Sequence, residues 1–207
     1  MPYNADNHGD ERGAPVPDRL IAPHGGALVN LFADGKLEAE LKSESLEWPA
    51  HALTPRQLCD LELLLSGGFS PLTGFMKRTT CERVCAEMRL DDAGGTVWPI
   101  PITLDVPEEL AKSLKLGVRL ALRDAEGVMV AALTVEEVWQ ADRESEAEAV
   151  FGSVNREHPG VAYLLDQTQP FYVGGSVTGV QPVTHYDYKL LRHSPADLRD
   201  EFTKLGW

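Results

Sequence analysis

The stretch Leu53-Thr54-Pro55-Arg56-Gln57-Leu58-Cys59-Asp60-Leu61-Glu62-Leu63-Leu64-Leu65-Ser66-Gly67-Gly68-Phe69-Ser70-Pro71-Leu72-Thr73-Gly74-Phe75-Met76 reads as one capped helix followed by a tight apolar loop. Thr54 stands at the N-cap. Pro55 suits the first helical position, where its missing N–H would have no partner anyway, and Gln57 can reach back to complete a capping box. Gly67 is free to take the positive φ that ends a helix. Between these marks Leu58, Leu61 and Leu65 share one helical face with Leu64 beside them, so the helix has a stripe to bury. In the loop, Phe69, Leu72, Phe75 and Met76 are presented by turns that Gly68, Pro71 and Gly74 fix, which predicts packing. A phosphate loop does not fit: no lysine follows the glycines at Walker spacing, and no Gly-x-Gly-x-x-Gly turn leaves a strand.

Together with Leu20-Ile21-Ala22-Pro23-His24-Gly25-Gly26 and Trp98-Pro99-Ile100-Pro101-Ile102-Thr103-Leu104-Asp105, this stretch resembles the amino-terminal part of the ATP sulfurylase (sulfate adenylyltransferase) family. The likeness runs through nearly the whole chain after about residue 18. It implies an α+β fold: a PUA-like, mostly β pseudo-barrel with short helices, followed by the first helices of an α/β nucleotidyl-transferase domain. The expected division is a disordered tail over 1–18, the PUA-like domain over 19–180, and the beginning of a truncated catalytic domain over 181–207.

Composition sets independent bounds. A chain of 207 residues buries roughly 70% of its unfolded surface, enough for a real core. With 43% hydrophobic and 25% charged residues it has an ordinary globular balance, and no apolar run approaches the roughly 20 residues that span a bilayer. Three cysteines and the lack of a basic-then-apolar leader predict a reduced, cytoplasmic setting without a disulfide framework. The net charge of −13 is uneven: residues 1–168 hold 15 Lys and Arg against 28 Asp and Glu, residues 169–207 hold 4 against 4. Such an acidic surface disfavours nucleic acid, and would equally repel sulfate and ATP.

Along the chain, Pro23 to Gly26 is a turn, with His24 lacking a second metal-type residue nearby. Leu37 to Trp48 is ambiguous from periodicity, and the resemblance favours a strand through Leu46-Glu47-Trp48. Thr79 or Thr80 is expected to cap a helix through Met88 in which Cys81 and Cys85 share a face as small buried hydrophobes, there being no Cys-x-x-Cys or ligand pair to make a metal site. Asp91 to Gly95 is a loop. Prolines alternating with β-branched residues from Val97 to Val106 suit an edge or irregular strand, with Trp98 anchoring the core. Pro107 opens a short helix to Leu114, and Gly117 closes that unit. Val118 to Leu122, a turn at 124–127 and the valine-rich run Val128 to Trp139 form the clearest hairpin signal.

Asp142 to Phe151 reads as a solvated helix closed by Gly152; Glu144, Glu146 and Glu148 alternate around it and make a poor cation site. His158-Pro159-Gly160 leads a helix through Leu165, again without a catalytic partner for the histidine. Phe171 to Val180 is a strand whose glycines permit close backbone approach. His185 to Lys189 is expected to enter a helix, and Ser194 to cap another that carries Leu198, Phe202 and Leu205 on one side. That unpartnered stripe, with Gly206 and Trp207 after it, suggests a chain cut short.

In the resembling enzymes a Gln-x-Arg-Asn-x-x-His-x-x-His motif holds the ATP phosphates, and a Gly-Arg-Asp-His motif follows later. Neither occurs in this sequence. The resemblance therefore assigns no catalytic, cofactor-binding or metal residue here, and what carries over is architectural: Gly67, Gly68, Phe69, Pro71, Leu72, Gly74, Phe75, Met76 and the run Trp98 to Asp105. The implied role is that of a non-catalytic domain. The whole enzyme, in some relatives fused to an APS kinase, would make adenosine 5′-phosphosulfate and pyrophosphate from ATP, with Mg, and sulfate in sulfate assimilation. Implied partners are its own catalytic domain and other subunits of a homo-oligomer, with ATP and sulfate reached only through the catalytic domain. The alternative is a free-standing PUA-like binding or oligomerisation module.

Overall fold

The computed structural model describes residues 20–91 and 94–206, so the expected tail over 1–18 and Trp207 lie outside the described residues. Among the described residues lie seven α-helices and six strands, in the order α1 (Gly35–Glu44), β1 (Ala50–Ala52), α2 (Pro55–Ser66), β2 (Gly74–Phe75), α3 (Arg78–Glu87), β3 (Leu104–Val106), α4 (Glu108–Ser113), β4 (Arg119–Arg123), β5 (Met129–Gln140), α5 (Arg143–Phe151), α6 (Pro159–Asp166), β6 (Phe171–Gly179) and α7 (Pro195–Leu205). The fold is α+β, as expected. It is not mostly β, because helical residues outnumber strand residues among those described.

All six strands share one mixed sheet in the order β1-β4-β5-β6-β2, with β3 also on β6. The hairpin β4–β5 and the pair β5–β6 are antiparallel and β1 joins β4 in parallel. With β5 along one side of β6, the other side is divided among short segments: β3 faces Phe171 to Val173, β2 faces Gly175 and Ser176, and Phe32 bridges Gly179. Period-two alternation separates two cores. Leu120, Leu122, Leu133 and Val135 point into the large core with Leu61, Leu64 and Leu65, whereas Ala121 and Ala132 meet Leu41 of α1 on the other face.

The opening stretch folds as its residues dictate. Thr54 caps α2 with the full box to Gln57, and Gly67 closes it at φ 86°. Phe75 and Met76 are buried, and Phe69 meets Trp98 edge-on at 5.6 Å between ring centroids. A strap from the amino-terminal side clasps this unit: Leu31 N–H donates to Leu65 O at 3.1 Å, and Gly179 N–H donates to Leu31 O at 2.9 Å.

Two glycines have no substitute. A Cβ on Gly74 would collide with Gly175 O, and one on Gly175 with Thr134 O, both backbone atoms of neighbouring strands.

Four local expectations are corrected. Leu46-Glu47-Trp48 is not a strand; Ser45 to Glu47 is a 3-10 turn leaving α1, which Asp34 caps and the Lys42–Glu38 pair at 2.7 Å braces, and β1 starts two residues later. Neither Thr79 nor Thr80 caps α3: Lys77 is the N-cap residue, and Arg78 N–H donates instead to the Glu137 carboxylate of β5 at 2.9 Å. Within Val97 to Val106 only Leu104 to Val106 is a strand, the prolines at 99 and 101 having removed the donors a longer ladder requires. His185 to Lys189 does not begin an α-helix; Tyr188 at φ 47° turns the chain left-handed into a 3-10 turn at Lys189–Leu191.

Candidate functional site

The densest polar cluster sits where α2 meets β3. Gln57, fully buried, donates through Nε2 to Asp105 O at 2.8 Å and Asp105 Oδ1 at 2.7 Å, while its Oε1 accepts from Thr54 N–H at 2.9 Å and lies 3.2 Å from His51 Nε2. Arg56 reaches Asp60 at 2.7 Å and Asp105 at 2.8 Å, with its guanidinium 5.8 Å from the Tyr163 ring centroid. The second oxygen of Asp105 accepts from Gln169 N–H at 2.8 Å. This carboxylate therefore ties α2, β3 and the entry to β6 together. Burial pushes Asp60 up against the pull of Arg56, and burial likewise pushes His51 down against its Gln57 partner.

Beside this cluster, Tyr172 of β6 donates to Glu146 of α5 at 2.9 Å. Burial lifts the Glu146 carboxyl above its ordinary range, opposed by the Tyr172 hydroxyl and by Arg56. The pair forms a wall shared by two cavities. One, of about 390 Å³, lies between α3 and α5 and includes Cys81, Cys85, Trp139 and Arg78 in its lining. The other, of about 200 Å³, reaches Arg56, Thr103, Phe151 and Tyr163.

The chemistry of these walls opposes phosphate and sulfate. Arg56 is paired through both terminal nitrogens with Asp60 and Asp105, leaving only its buried Nε without a partner, and Arg78 in the lining of the larger cavity is paired with Glu82 at 2.7 Å. Among the described residues no three His, Cys, Asp or Glu side chains gather as a metal site, and no helix is long and apolar enough to cross a membrane.

The residues singled out in the sequence are dispersed. His24 is exposed in the turn closed by Gly26 N–H on Pro23 O at 2.8 Å. His158 caps α6, its Nδ1 accepting from Gly160 N–H at 3.2 Å. Glu144 and Glu148 are exposed as a solvated face requires, but Glu146 is not: it turns inward to Tyr172, which corrects the reading of that run as wholly solvated. Cys81 is buried and Cys85 half-buried, on one face as expected. Sequence reasoning missed the Gln57–Asp105 and Glu146–Tyr172 pairs. The available signal was an amide at helical spacing ahead of Leu61 and Leu64 and a carboxylate between Leu104 and Val106.

The Gln57–Asp105 and Glu146–Tyr172 contacts thus pin α2 and α5 onto a mixed sheet whose β6 edge is shared by short segments. The chain belongs to the PUA-like domain family, which matches residues 21–182. Its relatives are sulfate adenylyltransferases: that of Mycosarcoma maydis is 46% identical over 190 residues, 90% of this chain and 33% of the relative. The Debaryomyces hansenii enzyme is 44% identical over 203 residues, 93% of this chain and 37% of the relative. Among solved structures, the hexameric APS kinase from Thiobacillus denitrificans superposes with a TM-score of 0.71 at 38% identity, covering 91% of this chain and 32% of that one. The chain thus spans about a third of the length of the relatives it matches.

Proposed function

We propose that this chain is the amino-terminal, non-catalytic domain of a cytoplasmic sulfate adenylyltransferase, an enzyme that joins ATP, with Mg, to sulfate and releases pyrophosphate. The carrying observation is the match itself: 46% identity over nine-tenths of the chain but only a third of the enzyme. The site chemistry agrees. Transfer at an α-phosphorus needs convergent cationic and N–H donors, and the cavities here present carboxylates with their arginines already paired. Residues 19–180 form the PUA-like unit in this reading, and residues 181–207 lead into the nucleotidyl-transferase domain, against which α7 packs. The enzyme's own catalytic domain and sister subunits are then its partners. The likeness to a protein titled as an APS kinase fits a fused architecture, although Gly-x-x-x-x-Gly-Lys-Ser/Thr occurs nowhere in this sequence.

An oligomerisation role is compatible with the same surface, because Leu190, Leu191, Leu198 and Leu205 are all exposed. Purified chain should catalyse neither sulfate-dependent exchange of pyrophosphate into ATP nor molybdate-dependent ATP cleavage. Turnover above a protein-free blank in either assay would overturn the assignment as a non-catalytic domain.

A further inference from the structure

The larger cavity has a chemistry that the structural role leaves unused. At about 390 Å³ it falls in the size range of small-molecule sites, roughly 300–1,000 Å³, and α3 and α5 wall it on two sides. Trp139 at the end of β5 and Tyr172 of β6 both line it, meeting edge-on with ring centroids 5.8 Å apart and planes at 86°. The two rings thus form an aromatic corner. Cys81 and Ala86 of α3 and Ala149 of α5 continue its apolar lining.

The charge in this lining is negative. Glu82 of α3, Asp142 at the N-cap of α5 and Glu146 within α5 bring carboxylates; among the described residues that line the cavity Arg78 is the one cation, and Glu82 holds it at 2.7 Å. Asp142 is engaged by Ser145, through the backbone N–H at 3.1 Å and the hydroxyl at 2.7 Å. Glu146 differs from both. Its Oε2 accepts from the Tyr172 hydroxyl at 2.9 Å, and among the described residues nothing donates to Oε1. Burial disfavours its charge, a cost that a cation beside it offsets.

We propose that this cavity binds a small organic cation, a primary alkylammonium, with its N–H donors on Glu146 Oε1 and its carbon chain against Trp139 and Tyr172. The wall selects that class. An aromatic ring attracts a cation within about 6 Å of its centroid, more strongly where water is excluded. A carboxylate oxygen accepting from a charged N–H makes one of the stronger hydrogen bonds. The apolar lining suits a hydrocarbon chain, which a bare metal ion lacks, and among the described residues no three His, Cys, Asp or Glu side chains gather to hold such an ion. Anions of the same shape meet the surplus of carboxylates and are repelled.

Titration calorimetry on the whole chain at neutral pH and fixed ionic strength tests this, with butylammonium as the probe against butyrate and n-butanol, which share its chain. Butylammonium should bind saturably in the low-millimolar range, and the other two should not. Because the chain carries a net charge of −13, diffuse attraction of any cation has to be separated from a site. Glu146→Gln, which keeps an acceptor for Tyr172, should weaken binding about tenfold or more, whereas Glu144→Gln, which removes the same charge from an exposed position of α5, should change it less than about twofold. Equal losses in the two variants would reduce the effect to surface attraction and overturn the proposal. Trp139→Leu, which keeps apolar bulk without a π system, should weaken binding about threefold or more. Unchanged binding by folded Trp139→Leu protein overturns the proposal even where Glu146→Gln fails to fold. So does the lack of saturable butylammonium binding by the unmutated chain, or equally tight binding of butyrate or n-butanol.

Discussion

Tyr172 donates its phenolic hydrogen to Glu146 across 2.9 Å, joining β6 to α5 through an acid that burial has lifted above its ordinary value of 4.5. The folded state binds the Glu146 proton more tightly than the unfolded chain does. That contribution to stability is fully present at acid pH and is lost as pH rises through the folded value. Glu146→Gln keeps an acceptor for Tyr172 without a charge to desolvate. The variant should gain melting temperature over the unmutated chain at pH 7 and lose that advantage near pH 4.5. Parallel pH profiles for the two would show that the carboxyl is not held as described.

Gly175→Ala should be among the most damaging single changes in the sheet, because its Cβ meets Thr134 O with no flexible side chain to yield. A loss of about 3 kcal/mol or more is expected in denaturant unfolding. Gly35→Ala, at the first position of α1 with nothing within 4 Å of the added carbon, should be neutral or stabilise by up to about 1 kcal/mol. Similar behaviour of the two variants would refute the close approach of β5 and β6.

How much of this was legible in sequence depended on the range of the interaction. Thr54, Pro55, Gln57 and Gly67 specify α2 within a dozen residues, and the β4–β5 hairpin announces itself by valine content and its turn. Readings failed where the partner is remote. The donor-satisfying group of α3 is Glu137, 59 residues from Arg78, so two nearby threonines looked better. Glu146 resembles its exposed neighbours in composition and differs only through Tyr172, 26 residues on. Asp105 meets Gln57 across 48 residues, with no local pattern to advertise it. The strand expected at Leu46 to Trp48 failed for the opposite reason: α1 is held by local caps and ion pairs, with weak apolar periodicity to reveal it.

The surface around α7 predicts association. None of its residues is buried, Leu198 and Leu205 are 39% and 52% exposed, and Leu190 and Leu191 of the preceding turn are more so. Each large apolar side chain removed from water is worth about 1.5–3 kcal/mol. Sedimentation of the whole chain should show concentration-dependent self-association, whereas a version ending at Val180 should remain monomeric. Identical monomeric behaviour up to millimolar concentration would mean this surface has no use for a partner.

The central claim, that this chain is the structural domain of a sulfate adenylyltransferase, is tested most directly by exchange. Residues 20–206 should replace the matching third of the Mycosarcoma maydis enzyme, to which the chain is 46% identical, and sulfate-dependent pyrophosphate exchange be measured on the purified chimera. The account predicts a folded chimera retaining activity within about tenfold of the parent, a loss of no more than about 1.4 kcal/mol at the transition state. A folded chimera with no sulfate-dependent exchange would contradict it.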